Sequence, residues 1–179
     1  ILYYVKPVIG EDEIKSDSYI KLKYEENSNM IVAKNLYNVD EFNDTIYVSS
    51  SEKIKSFTGN KKTFGVNKVR LDNDDGIGRK SCIVIELEVE IESFSDKKIS
   101  IVLGAEENIV SAKDTAYKYS KVQNCNMELG KVKNKWNDLL GKLQVKTPYE
   151  SLNIMLNGWI MYQTICSRLL AKSGFYQSG

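Results

Sequence analysis

The chain has 179 residues, 42% of them hydrophobic, which suffices for one domain, or a domain with an appendage, around a real core. Lys and Arg number 25 against 24 Asp and Glu, and a net charge of +1 gives no pull toward nucleic acid or an anionic membrane surface. The chain has no histidine, which excludes a Ser-His or Cys-His nucleophile and a His-based metal site within these residues, and it lacks an apolar run of about 18 residues with which to span a bilayer.

Residues 1–104 read as strands. "ILYYVKPVI", "SYIKLKYEE", "NMIVAKNLY", "TIYVSSS", "SCIVIELEVEIES" and "KKISIVLG" are rich in Ile, Val and Tyr and are separated by Asn, Asp, Gly and Ser. In the clearest of them Ile83, Ile85, Leu87, Val89 and Ile91 alternate with glutamates, a period of two that predicts one buried and one wet face. "ENSN" at 26–29 has the residues of a hairpin turn. Strands in succession without helices between them predict an antiparallel β-sandwich.

The pattern changes after Gly104. Asn108 is a candidate N-cap for a helix with Ile109, Ala112, Ala116 and Tyr119 on one face, and a second helix is expected from about Met127 to Leu140, stopped by Gly141. "GKLQVKTP" is extended, because Pro148 restricts Thr147. A third helix then opens with Thr147 as N-cap, Pro148 at the first helical position and Glu150 able to reach back to the cap amide. From 148 to 173 its apolar residues, among them Leu152, Met155, Trp159, Ile160, Ile165 and Leu169, cover more than one stripe, with Gly174 as its stop. Such a rod is enclosed by other helices, which the preceding sequence does not supply. Both ends therefore read as cut: Ile1 has no initiator Met or signal-type region ahead of it, and Gly179 follows the apolar helix closely.

The candidate motifs are bland. "LDNDDGIG" at 71–78 has three aspartates, but Ile83 stands where a calcium loop needs its bidentate Glu, so it reads as a polar turn. "GIG" within it lacks the third glycine and helix of a dinucleotide site. The glutamates of "IELEVEIE" read as a solvated strand face, and Lys61 and Lys62 of "SFTGNKK" as a solubilising loop pair rather than a phosphate site. Trp136, Trp159 and Tyr162 lie in helical apolar patterns and read as packing rather than sugar-stacking residues. Cys82, Cys125 and Cys166 are too far apart for a zinc site and read as free thiols, which favours a reducing cytoplasm. No catalytic constellation and no metal site emerge from the residues alone.

"TPYESLNIMLNGWIMYQTICSRLLAKSGFYQSG" nevertheless resembles the start of the (α/α)6 barrel of glycoside hydrolase family 94, in the branch of 1,2-β-oligoglucan phosphorylases and the phosphorylase-like region of cyclic β-1,2-glucan synthases. The matching residues are the Thr-Pro start, Leu156, Asn157, Trp159, Tyr162 and Gln163 of an "LN.W..YQ" helix, Arg168, and the closing "FYQSG". Upstream, "SFTGNKKTF", "GIGRKSCIVIELEVEIE" and "IVLGAEEN" are similar to that branch's sandwich, and "WNDLLGKLQVKTP" to its linker.

The resemblance implies a β-sandwich over 1–104, a helical linker over 105–146 and the start of the barrel over 147–179. It implies inverting phosphorolysis of β-1,2-linked glucooligosaccharide, with inorganic phosphate as co-substrate, no other cofactor, and a cytoplasmic homodimer. The catalytic acid of the family is an Asp far along the barrel, so no catalytic residue is assigned within the chain and the chain alone is expected to be inactive. Tyr176 and Gln177 are the expected substrate-adjacent residues, with a packed turn as the alternative. Two other readings stand beside this one: part of a cyclic glucan synthase, or a sandwich module without catalysis.

Overall fold

A computed structural model describes residues 1–10, 13–37, 39–61, 71–76 and 80–170. Lys62, Gly78, Gly174, Tyr176 and Gln177 therefore lie outside the described residues. The chain divides into two compact units, Ile1–Cys125 and Asn126–Gly179.

The first unit is an antiparallel sandwich. The strands are β1 (Leu2–Val5), β2 (Ile20–Glu25), β3 (Met30–Asn35), β4 (Thr45–Ser50), β5 (Ile54–Asn60), β6 (Ser81–Leu87) and β7 (Ile101–Glu106). They form one sheet in the order β1-β6-β5 and a second in the order β2-β3-β4-β7, with every strand pair antiparallel. Ile54, Phe57, Ile83, Ile85 and Leu87 of the first sheet meet Ile20, Leu22, Ile31, Ala33 and Val48 of the second in one buried cluster. Burial of the Ile, Leu, Val and Phe side chains among them contributes about 1.5–3 kcal/mol each, the main stabilising term of the unit.

Several details differ from the sequence reading. A short helix, α1 (Glu13–Tyr19), stands between β1 and β2, and the strand expected from Ser18 begins at Ile20. β5 takes in the "SFTGN" that precedes the expected lysine loop, while Lys61 follows its end in a turn. Its register shifts between Ile54 and Ser56, where Lys55 is the extra residue of a bulge, so Ile54 and Phe57 both face the core although three positions apart. β6 ends at Leu87, and its second face is not wet: Cys82 and Val84 are buried with Leu71.

The expected turn at 26–29 is a 3-10 turn closed by Asn29 in the left-handed conformation, φ 47°. Asn29 also holds the β4–β5 connection, donating from Nδ2 to the carbonyls of Ser50 (3.0 Å) and Glu52 (2.8 Å) and accepting the Ile54 amide at Oδ1 (2.9 Å).

The segment 71–76, read as a polar turn, bridges two sheet edges. On β5 the Asn73 amide donates to the Phe57 carbonyl (2.8 Å), Asn73 Oδ1 accepts the Phe57 amide (2.9 Å), and the Gly59 amide reaches the Asp74 carbonyl (2.7 Å). On β2 the Leu22 amide donates to the Gly76 carbonyl (3.1 Å) and the Tyr24 amide to Asp75 Oδ1 (2.8 Å). The edge amides that would template a foreign strand are thereby satisfied.

Helix α2 (Ile109–Tyr119) begins as expected: Asn108 Oδ1 accepts the amides of Val110 and Ser111, each at 3.0 Å. Its Ala112 and Ala116 pack on Met30, Val32 and Tyr47. Small residues let the helix approach, and Gly104, opposite Tyr47 on β7, leaves room for the Tyr47 ring that any Cβ would overlap.

Helix α3 (Val122–Leu140) starts earlier than the expected Met127. In the second unit, α4 (Glu150–Ile154) and α5 (Ile160–Thr164) are separated by a π-helical turn, Met155–Trp159, and followed by another, Ile165–Leu169. The expected capping box does not form. Thr147 Oγ1 accepts the Tyr149 amide at 3.2 Å, but the Thr147 amide is taken by Asn153 Oδ1 at 2.7 Å rather than by Glu150.

Candidate functional site

Several charged groups of the sandwich pair with one another. A surface depression of about 500 Å³ is lined by Glu52, Lys53, Ile54, Lys55, Glu88, Glu90 and Lys97. Lys97 Nζ lies 2.9 Å from Glu52, and Lys55 Nζ lies 2.9 Å from Glu88. Lysines and glutamates balance here, so the depression has no net field to attract phosphate. The paired carboxylates hold ammonium groups where a glycosidic oxygen would have to sit to receive a proton. Glu86 differs from the exposed glutamates after it: it is half-buried and accepts a short hydrogen bond from the Ser56 hydroxyl.

A second charged group joins β2 to α2. Glu25 accepts Lys113 and Lys23, each at 2.7 Å. Its carboxyl is held below the usual glutamate range, first by the hydrogen bond from Lys113 and then by that from Lys23. This is a tie between strand and helix, with both partners committed.

The cysteines are free, Cys82 buried and Cys125 and Cys166 partly so. Burial pushes the Cys82 thiol up to about 11, which leaves it protonated and unreactive near neutral pH. Cys125 Sγ donates to the Tyr119 carbonyl at 2.9 Å. Among the described residues no group of three Cys, Asp or Glu is placed to hold a metal ion, and no helix is long and apolar enough to cross a membrane.

In the second unit the aromatic residues cluster. The Tyr162 ring lies 5.4 Å from Trp136 and 6.3 Å from Trp159, centroid to centroid. Trp136 is half-buried in this contact, as a packing residue should be, whereas Trp159 remains 58% exposed. Ile154 is 66% exposed, and Leu152, Met155 and Ile160 also face outward. The helix carries an apolar surface that the described residues do not cover, the property expected of a rod meant to sit among other helices.

Of the phosphate-site candidates, Lys61 pairs through its amide with the Lys80 carbonyl at 3.1 Å, and Lys62 is outside the described residues. Tyr176 and Gln177 are likewise outside them, so the expected substrate-adjacent pair has no geometry here. Sequence reasoning missed Asn153 and Asn157, whose side chains hold the backbone of Thr147 and Val145. Their spacing of four residues behind an extended, Pro-terminated stretch was the available signal.

Comparison with known families divides the chain in two. Residues 1–122 match the model of the glycosyl hydrolase 94 supersandwich domain, and residues 135–179 match that of the catalytic domain of the glycosyl hydrolase 94 superfamily. Among curated proteins, the chain is 21% identical over 187 aligned residues to the cyclic beta-(1,2)-glucan synthase NdvB of Rhizobium meliloti (strain 1021), covering 98% of this chain and 7% of the relative. It is 22% identical over 138 residues to the N,N'-diacetylchitobiose phosphorylase of Vibrio proteolyticus, covering 71% of this chain and 17% of the relative. The corresponding Vibrio furnissii enzyme is 20% identical over the same length and shares of both chains. The chain thus spans between 7% and 17% of the length of these relatives. With a sandwich of two antiparallel sheets under the first match and an outward-facing apolar helix under the second, the chain belongs to glycosyl hydrolase family 94.

Proposed function

We propose that these residues form the supersandwich, linker and first barrel helix of an inverting phosphorylase. It would convert β-1,2-linked glucooligosaccharide and inorganic phosphate to α-glucose 1-phosphate and a shortened chain. The single observation that carries this reading is the order of the two family matches, supersandwich over 1–122 and then catalytic domain from 135. The β-1,2 linkage rests on the resemblance of the "LN.W..YQ" helix and on the alignment to the synthase over 98% of the chain. Domain limits of 1–104, 105–146 and 147–179 follow the same reading.

In such an enzyme one carboxylic acid protonates the glycosidic oxygen while phosphate attacks the anomeric carbon from the opposite face. Phosphate takes the place of the water and general base of an inverting hydrolase, so a single acid suffices. The resemblance puts that acid farther along the barrel, and the lysine-paired or serine-bonded Glu25, Glu52, Glu86 and Glu88 are poorly placed to donate a proton to a sugar. Tyr176 and Gln177, following the helix, would reach the barrel mouth, where an aromatic face and a carboxamide suit the apolar face and hydroxyls of a sugar. The complete enzyme is read as a cytoplasmic homodimer.

A second reading has a specific support. The alignment over nearly the whole chain is to a cyclic glucan synthase, so the same residues could serve the phosphorylase-like region of such a transferase. The test is turnover by the complete polypeptide of β-1,2-glucooligosaccharide and N,N'-diacetylchitobiose, each with phosphate. Glucose 1-phosphate from the first alone supports the proposal. Exclusive action on the second would replace the substrate, and chain synthesis from a sugar nucleotide would select the synthase.

A further inference from the structure

Three of the outermost strands of the sandwich are guarded against further pairing, and β7 is not. β2 carries the exposed Lys21 and Lys23 and is bonded by residues 75 and 76, while β5 carries the bulge at Lys55 and is bonded by residues 73 and 74. β1 is four residues long and runs into Lys6 and Pro7. β7, "IVLGAE", ends the wider sheet, pairs with β4 along all six of its residues without a register shift, and contains neither lysine nor proline.

The pairing with β4 decides which groups of β7 are left over. The Ser51 amide donates to the Ser100 carbonyl at 3.0 Å just ahead of β7, which makes Ser51 and Ser100 a hydrogen-bonded pair. Along the register from there, Val102, Gly104 and Glu106 turn their backbone groups toward β4, and Ile101, Leu103 and Ala105 turn theirs outward. Among the described residues no partner lies on these outward groups. The side chains of the same three residues stand on the inner face of the sheet, since Leu103 is opposite Val48, which is fully buried between the sheets. Leu103 is nevertheless 52% exposed, and Ala105 is exposed as well. The opposing sheet is one strand narrower, and the segment 71–76 ties the two sheets together at their β5 and β2 edges, so nothing faces β7 on the other side. Free backbone groups beside an uncovered apolar shelf are the two parts of a strand-addition site.

We infer that β7 is the seat of a further antiparallel β-strand, supplied by the same polypeptide from outside residues 1–179 and apolar at the alternate positions that meet Ile101, Leu103 and Ala105. The curated relatives are matched over 7% to 17% of their length, so such sequence is plentiful. A second copy of the chain fits the site less well. Two β7 strands paired about a two-fold axis only lengthen the sheet and leave both shelves uncovered, and so short a pairing falls well below the roughly 1,200 Å² of a stable interface. A strand of the same polypeptide needs no association step, and its continuation can close over the shelf. The inference rests on the reading of these residues as part of a larger enzyme and is independent of the substrate proposed for it.

The test is hydrogen exchange in the complete polypeptide, with the 179-residue chain as reference. In the reference, the amides of Ile101, Leu103 and Ala105 should exchange about tenfold or more faster than those of Val102, Gly104 and Glu106. In the complete polypeptide the first set should slow by about the same factor, and the alternation should vanish. Fast exchange of the three amides in the complete polypeptide overturns the inference. Slow exchange in the reference overturns it too: with a dependence on concentration a second copy holds the edge, and without one the chain closes the edge unaided. Protection at Ile83 and Ile85 of β6 reports that the sandwich of the reference is folded; where it is not, the complete polypeptide alone decides. Leu103→Lys reads the shelf separately. It should leave the melting temperature of the reference unchanged and lower that of the complete polypeptide by several degrees, and a lysine tolerated equally by both overturns the inference. Neither readout involves glucose 1-phosphate, so failure of the proposed activity and failure of this inference are told apart.

Discussion

Asn29 carries more of the sandwich than its place in a short turn suggests. Its left-handed φ closes the β2–β3 connection, and its carboxamide fastens three backbone groups of the β4–β5 connection. Asn29→Ala should lose about 2 kcal/mol in urea unfolding, from a left-handed alanine and stranded polar groups. Asn29→Gly, which keeps only the backbone conformation, should recover part of that. Gly104→Ala forces the buried Tyr47 ring aside, and about 1–3 kcal/mol should be lost. Glu25 predicts a pH dependence. Its carboxyl is lowered in the folded state by Lys113 and Lys23, so its stabilisation is fully present above the ordinary glutamate pKa of about 4.3 and is lost as pH falls through the lowered folded value. The stability difference between wild type and Glu25→Gln should therefore be flat near neutrality and close in acid. A difference that grows in acid would reverse the assignment.

At the scale of elements, the strands with strict alternation were legible because period two needs only local information. β5 was not, since the bulge at Lys55 puts Ile54 and Phe57 on one face at an odd spacing and leaves a stretch that looks polar. The second buried face of β6 was hidden for another reason: Cys82 and Val84 are covered through Leu71, distant in sequence, while the glutamates after Glu86 suggested water. Long-range contacts of this kind have no local signature. The same holds for the segment 71–76, whose aspartates and glycine spell a turn and whose backbone joins β5 to β2. Gly76 has φ +64° there, and a Cβ on it would press on the Gly59 carbonyl. Gly76→Ala should cost about 1–3 kcal/mol and speed exchange at the Leu22 and Gly59 amides ahead of the core. Uniform loss of protection across both sheets would mean that the segment is not a separate clasp. The helix caps split in the same way: Asn108 acts within its own turn and is legible from it, whereas Asn153 captures the Thr147 amide that a local rule gives to Glu150.

For the whole molecule, the fold class and family followed from motif and pattern, while the substrate-adjacent pair Tyr176 and Gln177 rests on the resemblance alone. In the complete enzyme, Gln177→Ala should lower turnover of β-1,2-glucooligosaccharide without a comparable loss of thermal stability, and unchanged kinetics would make these residues scaffold. The 179-residue chain by itself should release no glucose 1-phosphate from that substrate. Whether these residues belong to an inverting phosphorylase is decided by following the complete polypeptide with β-1,2-glucooligosaccharide in phosphate buffer by phosphorus NMR. α-Glucose 1-phosphate should form in proportion to shortened chains and only when phosphate is present. Release of free glucose at a rate indifferent to phosphate, or formation of the β-anomer, would contradict that assignment.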